Sequence, residues 1–219
     1  MWDASSVRGR VWGVVLIGAL LCAGCARQMA EEEPSPAHAT RTVSVVVAAP
    51  LPRLPHDQAV TAIPKVEVAD NRITVGDQTV DVAPLRADSA VSTLGGVYFL
   101  NAGELWFLAK HGARSTGFTG LKGVVVSASG RYLGLVDRNH GPASHGGAAL
   151  AAAVVYDTGT GKVKLRSYAG MGDPSAGLTK TYAAQPPAVR DFEGRALVVD
   201  TPSGTWRYPL DGSDPTRVS

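Results

Sequence analysis

The chain has 219 residues, 45% hydrophobic and 18% charged, which suits one ordinary globular domain plus a tail. Its formal net charge of +2, with no basic run, gives no case for a nucleic-acid partner. Both cysteines, Cys22 and Cys25, lie near the N-terminus, so the rest of the chain holds neither a disulfide nor a thiolate metal site.

The first ten residues carry Arg8 and Arg10 against Asp3, a positive leader. An apolar run of eleven residues, VWGVVLIGALL (11–21), follows. It is about half the length a membrane-spanning helix needs and has the size of a signal-peptide core. Small residues Ala23 and Gly24 then precede Cys25. This end of the chain resembles a bacterial lipoprotein signal (1–24), in which a small residue precedes the cysteine that receives the lipid. One position departs from that pattern: Cys22 stands three before Cys25, where leucine is usual, and Leu21 lies one further back. The resemblance implies cleavage before Cys25, diacylglycerol on its sulfur, and often an acyl chain such as palmitate on the new amino group. Two or three chains would make a stable anchor on the extracytoplasmic face of the cell membrane. CAGC (22–25) is also formally a C-x-x-C, but it has neither a βαβ context nor a second cysteine pair.

Residues 25–64 read as a disordered, Pro/Glu-rich tether, with EEEPSP at 31–36 and Pro50, Pro52, Pro55 and Pro64 at short intervals. TVSVVV (42–47) interrupts it, either as a strand that docks on the domain or as a sticky patch of linker. His38 and His56 are expected to be solvated.

From 65 to 219 the pattern is short strands between turn residues, with no helix expected; the 25 glycines and 14 prolines fit a turn-rich all-β domain. Strands are expected at 66–69, 72–75 and 78–82, with Asp70-Asn71 and Gly76-Asp77 as hairpin turns. Hairpins follow at 95–100 with 104–109, at 124–136, at 153–168, and at 194–200 with 205–210. The hairpin at 153–168 is the most legible. Its Thr-Gly-Thr-Gly turn precedes alternation that places Val163, Leu165 and Ser167 on one face and Lys162, Lys164 and Arg166 on a solvated basic face.

The units repeat. SGRYL (129–133) matches EGRAL (193–197), and GELWFL (103–108) resembles GTWRYPL (204–210). Gly96 and Gly130 are 34 residues apart, Gly130 and Gly194 64 apart; propeller repeats run to about 40–50 residues. VVSASGRYLGL (125–135) and VYDTGTGKV (155–163) resemble the inner-strand and hairpin motifs of WD-repeat-like and TolB-like β-propellers. ITVGDQTV (73–80) resembles the opening strand pair of propeller-type domains in actinobacterial exported proteins. The resemblance covers about residues 66–219 and implies an all-β, β-propeller-like array of antiparallel blades whose loops bind a partner; it implies no reaction. About 155 residues give three to four blades, against a usual four to eight, which leaves open a truncated product, an open stack or a minimal closed ring.

The densest polar cluster is DRNHGPASHGG (137–147). Asp137, His140 and His145 are the candidate metal ligands, since imidazole and carboxylate suit a divalent ion; their spacing matches no established zinc pattern. The plainer reading is a flexible Gly-rich insertion. Ser144 has Pro142 where a nucleophile elbow needs glycine. Gly159 and Lys162 fall short of a phosphate loop, with Tyr156 and Val163 at positions that need Gly and Ser or Thr. Trp106 and Trp206 read as core residues. No catalytic residue and no cofactor are expected. The leading expectation is a lipid-anchored binding or interaction protein with an unknown protein or small-molecule ligand. The alternative is a hydrolase-type envelope enzyme, or its remnant, with a loop site at 137–147; a third is a decayed fragment.

Overall fold

A computed structural model describes residues 48–57, 62–144 and 147–218. Cys25, the 42–47 segment and His145 lie outside the described residues. The fold is all-β, built from four antiparallel sheets in which every strand pairs with its sequence neighbour. The first sheet has three strands: β1 (Val66–Ala69), β2 (Arg72–Val75) and β3 (Gln78–Asp81). The second has β4 (Ser89–Thr93), β5 (Gly96–Asn101), β6 (Glu104–Ala109) and β7 (Gly112–Ser115). The third has β8 (Val125–Val126), β9 (Tyr132–Asp137), β10 (Ala152–Asp157) and β11 (Lys162–Ser167). The fourth has β12 (Ala188–Glu193), β13 (Ala196–Thr201), β14 (Gly204–Pro209) and β15 (Thr216–Arg217).

Turn chemistry explains the tight meanders. Asp70 sits at φ +54° between β1 and β2, and Ala102 and Gly103 at +50° and +79° between β5 and β6. The paired positive φ values at Ala102 and Gly103 make the two-residue turn whose twist matches its strands. The alternation of each strand then sends apolar residues to both faces of the inner sheets.

Three cores hold the sheets together. Ile73 and Val82 pack with Val97, Phe99 and Leu108 between the first and second sheets. Tyr98, Leu105 and Phe107 meet Leu133, Leu135, Val154 and Tyr156 between the second and third. Ala153 and Val155 meet Leu197, Val199 and Tyr208 between the third and fourth. The first strands run side by side: β4 lies next to both β1 and β8, and β12 next to β8 and β9.

Three local features differ from the sequence-based expectation. A helix, α1 (Leu178–Ala184), follows a single 3₁₀ turn at Pro174–Ala176, where no helix was expected. It is seven residues long and has no side-chain N-cap; burial of Leu178 and the Tyr182 hydroxyl, which accepts from Ala151 N and donates to Met171 O, hold it. Secondly, the alternation in β11 is broken. The pairing shifts between Val155 and Tyr156, so Val155 faces Leu165, Tyr156 faces Val163, and Lys164 is the bulged residue. Val163 and Leu165 therefore point to opposite faces, and Arg166 leaves the solvated row that Lys162 and Lys164 keep.

Thirdly, the C-terminal end of the expected tether lies against the sheets. Leu54 is 1% exposed and belongs to the core between the second and third sheets. Its N–H donates to Gly161 O (3.0 Å), and that of Asp57 to Gly95 O (2.9 Å). Tyr98 and Tyr156 donate their hydroxyls to Pro55 O (2.6 Å) and Pro52 O (2.9 Å). Proline removes donors but leaves carbonyls free, so a Pro-rich segment suits a strap held by tyrosine hydroxyls. Among the described residues no helix is long and apolar enough to cross a membrane.

Candidate functional site

Two places concentrate polar chemistry. The first is the 137–149 loop. Asp137 ends β9 and is 1% exposed. Its Oδ1 accepts from the backbone N–H groups of Asn139 (3.0 Å) and His140 (3.3 Å) and lies 2.9 Å from His140 Nδ1. With Nδ1–H donating to the carboxylate, the imidazole is held in one tautomer, its edge against the Phe118 ring at 5.4 Å. Arg166 donates from Nη2 to His140 O and from Nη1 to Ala49 O (3.3 Å), and stacks on Tyr168. Asp137 Oδ2 and Arg166 Nε are buried with no hydrogen-bond partner among the described residues. Burial, then the Asp137 charge, push the Tyr156 phenol above its ordinary value, with Arg166 opposing.

The described residues of the loop are tied down by hydrogen bonds. Ala143 bridges Ala149, Ser144 N and Oγ donate to Ala148 O, and Leu150 N donates to Pro142 O. Asn139 Nδ2 donates to Thr119 O (3.1 Å) and Arg138 Nη2 to Pro187 O (3.3 Å). Burial holds the Arg138 guanidinium below its usual value. Of the three candidate ligands, Asp137 and His140 are brought together as a dyad, and His145 lies outside the described residues. Asp137 orients His140, the arrangement a carboxylate takes behind a ligating or basic histidine. Among the described residues no three His, Cys, Asp or Glu side chains gather as a metal set. The Ser144 hydroxyl donates to Ala148 O (2.7 Å).

The second place was missed in the sequence. The strap and the β6–β7 hairpin enclose a groove of about 630 Å³. Arg53, His56 and Asp57 line it from the strap; Lys110, His111 and Arg114 line it from the hairpin. All six are exposed, while its floor includes the buried Leu54 and Phe107. Arg53 is steadied by two bonds to Thr160 O, from Nε at 3.2 Å and Nη2 at 3.0 Å. No local motif marks this site, because its two halves are some fifty residues apart in the chain. Trp106, expected in the core, packs on the cluster between the first two sheets, and Trp206 on that between the last two.

No protein family matches the chain, and neither a curated protein nor a solved structure shows significant similarity to it.

Proposed function

We propose that this protein is a lipid-anchored, extracytoplasmic binding or interaction protein whose four sheets serve as blades of a β-propeller-like array. The observation that carries the binding reading is the groove: a concave space with an apolar floor into which charged side chains converge from two distant segments. The array reading is supported by the sequential meander of every sheet and by the neighbouring first strands β1, β4, β8 and β12. The location rests on the leader, the short apolar run and the small residues before Cys25.

The anchor has a direct test. Cys25→Ala in the full chain is expected to move the protein from the membrane fraction to the soluble fraction and to abolish labelling by a fatty-acid analogue. Retention on membranes would overturn lipidation as the sole tether. The Asp137–His140 dyad favours a second reading, a hydrolase-type site. Turnover of an activated ester that disappears in His140→Gln would put that reading ahead.

A further inference from the structure

The groove carries an unbalanced charge. Arg53, Lys110 and Arg114 face Asp57, so three positive charges against one leave +2, as large as the formal surplus of the whole 219-residue chain. His56 and His111 add two imidazoles to the same wall. Cations on edge strands commonly deter strand pairing, and that accounts for Arg114 on β7. It does not account for Arg53 and His56, which reach the groove from a strap belonging to no sheet. A clear excess of one sign of charge above an apolar floor focuses field into the cleft and attracts the opposite sign. Two of the residues are arginines, whose planar forks match phosphate oxygens. Arg53 spends only two of its five N–H donors on Thr160 O.

We propose that this groove binds a soluble, phosphate-bearing oligoanion; this rests on the binding reading above and names its ligand class. The groove is concave, walled by the strap on one side and the β6–β7 hairpin on the other, so it suits a ligand that enters it better than a flat lipid surface.

Titration calorimetry of the full chain in non-ionic detergent, with tripolyphosphate as the probe, tests this. Saturable binding at one site is expected, weakening as salt rises. Lys110→Gln and Arg114→Gln should each lower affinity about two- to fivefold, the worth of one exposed charge contact. The pair Lys110→Glu and Arg114→Glu should abolish binding, with the thermal melt unmoved because both side chains are exposed. Lys162→Glu with Lys164→Glu makes the same charge change on exposed residues of β11 and should leave affinity unchanged. Equal loss in that control would mean diffuse surface charge and overturn the groove. So would absence of saturable binding, or uptake by phosphatidylglycerol vesicles without binding of tripolyphosphate. The Cys25→Ala fractionation reads the anchor separately, so either result can fail without the other.

Discussion

Tyr98, Tyr156 and Tyr208 are each 0% exposed, and each hydroxyl donates to a backbone carbonyl: Pro55, Pro52 and Ala169 respectively. A buried phenol keeps its proton because the phenolate would lose its solvation, and burial is the leading cause of the raised value at all three. In the unfolded chain they ionise near pH 10. Their contribution is therefore whole below about pH 10 and is lost as pH climbs toward the raised folded values. With three groups the loss should reach about 4 kcal/mol per pH unit above that point. Urea unfolding between pH 9 and 11.5 measures it. Tyr208→Phe should remove about a third of the slope, and an unchanged slope would show that these phenols do not govern alkaline stability.

At the scale of elements, the strap of residues 48–57 is held to the sheets by a few specific contacts. Leu54→Ala removes a fully buried side chain from the core between the second and third sheets and should cost about 2–4 kcal/mol. Gly161 holds the strap from the other side. It sits at φ +65°, and a Cβ there would lie 2.1 Å from Leu54 O. Both Leu54→Ala and Gly161→Ala should lift the strap and speed tryptic cleavage after Arg53, while the sheets stay protected. Cleavage no faster than in the parent protein would mean that these contacts do not hold it. The bulge at Lys164 works at the same scale: by turning Arg166 away from solvent it makes the guanidinium a link between Ala49 and His140.

At the scale of the molecule, among the described residues, the second and third sheets contribute both faces to the cores, whereas the first and fourth each contribute one. The other face of the first sheet carries Glu67, Arg72, Thr79 and Asp81, all exposed. That of the fourth carries Arg190, paired with Asp200, together with Asp191 and Arg207. Protection should follow cover. Amide hydrogen exchange is expected to be slowest in β9 and β10 and fastest, among the sheets, in β1–β3. Equal protection in β1–β3 and β9–β10 would contradict a first sheet that contributes only one face to the cores.

The residue pattern alone made legible the all-β character, the turn positions at Asp70, Ala102-Gly103 and 158–161, and the repeated hairpins, since these rest on local backbone chemistry and two-residue alternation. It also marked the Asp137–His140 pair, three residues apart and joined within one turn. The strands it passed over, β4, β7, β12 and β15, lie at sheet ends with little alternation, so pairing rather than composition makes them strands. Long-range packing, in contrast, makes a strap of Pro-rich residues 48–57, turns Arg166 inward and brings Arg53 to Lys110 and Arg114 across a groove. Each of these depends on contacts between residues far apart in the chain, such as Leu54 with Gly161, and the energy of such contacts appears in no local pattern.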